Sequence, residues 1–204
     1  MTAAQRDAIT TPSQGLIIFC TDCASGAGEL QIKLSSAWKN LPVGDVDDPI
    51  AIGDTYQGGI VFYVDGSGGG LIAAPTDQTN PQWGCYEQSI SGTSSALGTG
   101  AANTTAIVSG CSETAIAAKI CADLTLGGYT DWFLPSKDEL NLMYDNIGQG
   151  NVLGLGNVGG FSDSYYWSST EYDNYNAWGQ GFYYGNQAVP NKFYTNYVRA
   201  VRAF

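Results

Sequence analysis

The side chains that most often do chemistry are scarce in this chain of 204 residues, and one type is missing altogether: there is no histidine. Its absence removes the commonest general base, the Ser–His and Cys–His nucleophile pairs and the commonest metal ligand. What remains is five cysteines, scattered carboxylates and a concentration of tyrosine. Cys20-x-x-Cys23 is half of a zinc site with no second half elsewhere, so a local disulfide or two free thiols is preferred over a metal. Cys85 and Cys111 flank a Gly/Ser/Thr/Ala-rich stretch that a bridge could tie down, leaving Cys121 as a buried helix thiol. Asp131, Asp138, Glu139 and Asp145 could in principle supply paired acid–base chemistry. Plainer readings fit them better: Glu139 as a helix cap partner, Asp138 as an acid at a helix N-terminus, and Asp145 as a solvated helix-end residue. No catalytic residue, metal ligand or cofactor is expected, and the chain reads as a non-enzyme.

The tyrosines are the stronger signal. Eight of the 13 fall between Tyr165 and Tyr197, and the stretch EYDNYNAWGQGFYYGN (171–186) mixes them with Asn and Gly. Tyrosine gives large, rigid contact area with few rotors, and Asn and Gly give adaptable hydrogen bonding, as in antibody paratopes. Cross-strand packing is the competing explanation. It is preferred for Trp167, Trp178 and Phe182, because large aromatics usually pack. Exposure and contact are preferred for Tyr172, Tyr175, Tyr183 and Tyr184, which lie in turn-like context.

These residues need a scaffold, and the chain suggests one in two parts. Residues 1–41 read as a small β module: GLIIFC (15–20) and ELQIKL (29–34) are two short strands joined by TDCASGAG, with Trp38 closing the unit. A ribbon this small buries too little apolar surface to stand alone, so it should pair with copies of itself, for example as a trimer, or with a larger assembly. PVGDVDDPI (42–50) reads as a stiff, solvated linker. From residue 51 to 204 the pattern is α+β. GGIVFYVDGSGGGLIAAP (58–75) is a hairpin, and 76–110 is a long irregular segment anchored by Trp83 and Cys85. A helix follows, N-capped by Ser112, with Ile116, Ile120 and Leu124 on one face. Ser136 and Glu139 form a capping box that opens a second helix through Ile147, burying Leu140, Met143 and Tyr144. Strands at 165–170, 177–184 and 196–204 complete the domain, the last alternating Val198, Ala200 and Val201 with Arg199 and Arg202.

The net charge of −11 and the lack of Lys/Arg clusters beyond Arg199/Arg202 exclude nucleic acid as a partner, because phosphate binding depends on such clusters. No apolar run is long enough to span a membrane, and the N-terminus lacks the features of a signal peptide.

Four motifs converge on one family. GGIVFYV (58–64), GYTDWFLPSKDEL (128–140), YWSSTE (166–171) and VRAVRAF (198–204) together resemble the C-terminal domain of Legionella collagen-like adhesins, over residues 51–204. The resemblance implies a C-type-lectin-like fold, related to formylglycine-generating enzymes and to the variable proteins of diversity-generating retroelements. TAAQRDAI (2–9) with PSQGLII (12–18) is similar to N-terminal units of phage tail-fibre and bacterial surface proteins. The retroelement comparison suggests a test of the C-terminal region, since adenine mutation of Asn codons reaches some residue types and not others. Tyr172, Asp173, Asn174, Tyr175, Asn176, Gly179, Gly181, Tyr183, Tyr184, Asn191, Phe193, Tyr194, Thr195 and Asn196 are reachable and form the candidate ligand-binding set. Trp178, Gln180, Gln187 and Lys192 are not reachable and would be fixed scaffold. The oxidase relatives hold copper on a cysteine pair late in the domain, and here no cysteine follows Cys121. Calcium-dependent lectins use a Glu-Pro-Asn loop, whereas this chain has Val189-Pro190-Asn191, with Asp163 and Asp173 leaving an incidental ion open.

The expectation is a recognition or adhesion protein of a virion or bacterial cell surface. It would bind a cell-surface protein or glycan through a face that the retroelement comparison makes hypervariable. The alternatives are a structural fibre-tip or spacer protein and, further off, an oxidase.

Overall fold

The computed structural model describes residues 1–11, 16–20, 29–34, 37–41 and 50–204. Cys23, the 21–28 turn and nearly all of the 42–50 linker lie outside the described residues. Two compact units separate, Met1–Pro49 and Ile50–Phe204.

The first unit opens with α1 (Ala3–Asp7), started by a reciprocal cap between Thr2 and Gln5. Three antiparallel strands follow in sequence order: β1 (Ile17–Cys20), β2 (Glu29–Leu34) and β3 (Ala37–Leu41). The two-strand expectation is corrected here, because Trp38 belongs to a third strand, paired with Lys33. The Lys33 ammonium lies 5.8 Å from the centre of the Trp38 ring. Along β1 the pleat buries Ile18 and Cys20 and leaves Ile17 and Phe19 exposed.

The second unit begins with β4 (Thr55–Tyr56), β5 (Gly59–Val64) and β6 (Gly70–Ala73). Gly70 is needed at the hairpin's return, since a Cβ there would stand 2.2 Å from the Tyr63 carbonyl oxygen. Three helices come next: α2 (Gly100–Gly110), α3 (Ala117–Ala122) and α4 (Lys137–Ile147). The chain then forms β7 (Tyr165–Glu171), β8 (Ala177–Gly181) and β9 (Gln187–Ala188), an antiparallel sheet in that order. It ends in β10 (Val201–Ala203), which pairs with β6 to make a second sheet of order β10-β6-β5-β4. The last strand thus closes onto the first hairpin, and Phe204 packs edge-on against Tyr56.

The fold is α+β with antiparallel sheets, consistent with a C-type-lectin-like scaffold. Three details differ from the sequence reading. Residues 100–110, expected to be irregular, are helical although GAANTTAIVSG carries no strong apolar stripe. Tertiary bonds hold the helix instead: the Asn103 amide donates to the Ser94 carbonyl and Ser169 hydroxyl, and Thr104 bridges to Leu134. α3 starts after Ile116 rather than at Ser112, because Ile116 is extended and bridged to Gln82. Val198 to Arg202 do not alternate in and out, for all five are buried, and Val198 and Ala200 bond to the 74–79 loop instead of a strand.

The core is built on Trp83, Trp132 and Trp167 on one side and on Phe62, Phe161, Tyr166 and Phe182 on the other. Both buried arginines have partners. Arg199 meets the Asp77 carboxylate and the carbonyls of Ala74 and Gly159, and Arg202 meets Asp131 and Gln57.

Candidate functional site

Three turns of the second unit carry most of the exposed aromatic surface. The first links β7 to β8, where the Asp173 carboxylate accepts the amides of Tyr175 (2.8 Å) and Asn176 (2.7 Å). Desolvation works against the charge, but these amides prevail and hold the Asp173 carboxyl below its usual range. So shaped, the turn exposes Tyr172 and Tyr175, while Asp173, Asn174 and Asn176 are half-buried. The second turn follows β8: Phe182 enters the core, whereas Tyr183 and Tyr184 stand out, Tyr184 at 80% exposure. Gly185 lets this turn close, at φ +74 and with no space for a Cβ beside Tyr144. In the third, Asn191 caps a turn that exposes Phe193, Tyr194 and Thr195 and leaves Asn191 and Asn196 half-buried.

Gly179 and Gly181 are corrected. Both are buried in β8, where a Cβ would lie 2.9 Å from the Tyr166 carbonyl and 2.7 Å from the Asn186 side chain, respectively, so neither is a displayed contact. Trp167 and Phe182 are fully buried. Trp178 is half-buried, with Tyr172 edge-on at 5.6 Å and the Lys137 ammonium 4.4 Å from its ring centre.

The exposed rings meet one another. Tyr86 is in edge contact with Tyr175 (5.5 Å) and with Phe193 (5.3 Å), and Phe193 is in edge contact with Tyr194 (4.6 Å). Tyr194 then lines a cleft of about 550 Å³ with Tyr165, Val189, Pro190, Thr195 and Asn196. Tyr165 also lines a second cleft, of about 490 Å³, with Asp163, Tyr183, Tyr184 and Asn186. One aromatic face therefore runs from Tyr175 through Tyr194 and Tyr165 to Tyr184. Tyr86, Tyr165 and Asn186 were missed in the sequence. Strand alternation could have found Tyr165, since its neighbour Tyr166 points into the core. No local pattern marks Tyr86.

The carboxylates do not converge. Asp131 is paired with Arg202, and Asp145 accepts from the Asn141 amide. Glu139 is fully buried and accepts the amides of Gly98, Gly100 and Ser136. Burial raises the Glu139 carboxyl above its usual range, against the pull of these amides. Asp163 accepts from Gln149. Cys85 and Cys111 form a disulfide with Cα atoms 5.8 Å apart. Glu113 approaches the two sulfurs closely enough to complete a metal-ligand trio, but paired sulfurs offer no thiolate. Cys121 is a free, buried thiol, and burial pushes its ionisation far up. Cys20 is buried and disulfide-bonded.

Together these features define an α+β scaffold bearing a mixed aromatic and amide face. The chain belongs to the Lcl C-terminal domain family, whose model matches residues 77–202, the family its sequence motifs resemble. Membership suggests a surface adhesin-like C-terminal domain. No curated protein matches the chain. Among the described residues no helix is long and apolar enough to cross a membrane.

Proposed function

We propose that residues 50–204 are a non-enzymatic recognition domain that binds a cell-surface protein or glycan through this aromatic face, and that residues 1–41 attach or oligomerise the chain. The carrier is a virion or a bacterial surface. The observation that supports the reading is the continuity of the face: four rings in edge contact open onto two clefts joined at Tyr165. Exposed aromatic patches of this kind are characteristic of contact surfaces. The nearby cations are committed elsewhere, Lys192 to Glu171 and Lys137 to Trp178, which disfavours nucleic acid as the partner. Exposed Ile17 and Phe19 support an attachment role for the first unit.

The face is also proposed to be hypervariable. Lys192 and Gln180, which adenine mutation cannot produce, are buried, while most of the reachable aromatics are displayed. An adenine-rich near-copy of the 167–204 coding region beside a reverse transcriptase gene is the expected finding in the encoding DNA.

The binding test uses the full chain on a printed array of extracellular-matrix proteins and neutral and anionic oligosaccharides. Replacing Tyr172, Tyr175, Tyr183 and Tyr184 by Ala should keep Tm within about 3 °C and abolish retention. A collapse in Tm would make these residues structural, and undiminished retention would favour a spacer role for the domain.

A further inference from the structure

Tyr86 is the ring on which the four-ring cluster hinges, yet it lies some ninety positions before Tyr175, outside the C-terminal turns that supply the rest. Its backbone is unusual. Gly84, Cys85 and Glu87 all have positive φ, at +99, +46 and +68, a conformation that side-chain-bearing residues rarely adopt. Something must hold the turn in that shape. On its upstream side the Trp83 amide donates to the Lys192 carbonyl. Downstream, Lys192 Nζ donates to the Gln88 carbonyl, and the Ile90 amide donates to Glu171. Between these anchors, Cys85 is fixed by its disulfide to Cys111 at the end of α2 and by the hydrogen bond its backbone N–H donates to the Glu113 carboxylate.

We propose that Tyr86 is a contact residue of the recognition face and that the Cys85–Cys111 disulfide sets its position, so that reducing this bond weakens binding while the domain stays folded. The proposal rests on the recognition reading of the face. A dithiol reductant supplies two electrons and two protons: the Sγ–Sγ bond breaks, Cys85 and Cys111 become thiols, and the reagent closes its own disulfide. Freed of the bridge, the left-handed residues relax and Tyr86 leaves its place between Tyr175 and Phe193. The fold survives because its anchors lie elsewhere. Trp83 and Trp167 keep their indole bonds to the carbonyls of Ser168 and Pro81, and both stay packed in the core.

The first arm of the test needs no ligand. A glutamate-specific endopeptidase should cut after Glu87 at least about tenfold faster in the Cys85→Ala/Cys111→Ala chain, as local release predicts. The sites at Glu139 and Glu171 should stay protected and the far-ultraviolet circular dichroism unchanged. The double variant is used beside dithiothreitol because Cys20 is also disulfide-bonded. The second arm uses the array spot that best retains the unmodified chain. Tyr86→Ala and the double cysteine variant should each weaken retention about tenfold, the loss expected for an aromatic anchor, and Tyr86→Phe should retain it. Unchanged cutting at Glu87 overturns the proposal. So does equal cutting at Glu139 and Glu171, which would make the bridge a staple of the whole domain. Full retention by Tyr86→Ala, with loss in the Tyr183 and Tyr184 variants, overturns the contact role alone. Retention by every tyrosine variant overturns the face itself, and this proposal with it.

Discussion

Lys192 lies between Asn191, which is half-buried, and Phe193, which is displayed, yet its own side chain is fully buried. Its ammonium reaches Glu171 and the Gln88 carbonyl and lies 4.7 Å from the centre of the Trp83 ring. It thus ties the third turn to β7 and to the Tyr86 loop, and the three supports of the face meet at one cation. Burying a charge is tolerable only while its partner is present, and removing one partner strands the other. Lys192→Met keeps the stem's packing but leaves Glu171 uncompensated, and should cost about 3 kcal/mol in urea unfolding. Adding Glu171→Gln should recover part of that loss. A cost under about 1 kcal/mol would mean that the pair is effectively solvated. Part of this was legible in the sequence, because Lys192 and Gln180 stood out as odd residues in a Tyr/Asn/Gly field. Their neighbours Gly179 and Gly181 passed the same codon test and are nonetheless buried. Codon reach describes which residues mutation can produce, whereas space in β8 is set by the Tyr166 carbonyl and the Asn186 side chain, and no sequence rule carries that geometry.

At the level of elements, the sequence is legible where the physics is local. The capping box at Ser136 and Glu139 is present, because it needs only two residues three apart. α2 is not legible in the sequence because long-range bonds from Asn103 and Thr104, and no amphipathic stripe, hold it. Glu139 itself does more than cap α4, since it also gathers the amides of Gly98 and Gly100. Burial raises its carboxyl above the ordinary value of 4.5, so the folded state holds the proton more tightly than the unfolded chain does. The stabilisation from this group is therefore complete below the unfolded value and is lost as pH rises toward the raised folded one. Glu139→Gln lacks that term. The stability difference between the unmodified chain and the variant, from urea unfolding, should be largest below about pH 4.5 and shrink toward neutrality. A difference that grows with pH would show the three amides outweighing burial.

For the whole molecule, the chain divides at Pro49/Ile50 into two compact units. The second unit has its own clusters of buried aromatics and a closing strand that returns to its hairpin, the parts expected of a domain that folds alone. Among its described residues the first unit holds three short strands and a five-residue helix, with Ile17 and Phe19 exposed, which is little core for independent stability. Association with further copies would cover such a surface and would also set several recognition faces on one assembly. Multivalent display raises apparent affinity by about 10²–10⁴ without any new contact, provided the faces can engage together. A chain cut to residues 50–204 should therefore keep its Tm and its intrinsic binding. It should sediment as a monomer where the full chain does not, and lose at least about a hundredfold in apparent affinity for a densely printed surface. Equal sedimentation of the two chains would remove oligomerisation from the first unit's role. A fall in Tm would show that the second unit draws stability from the first.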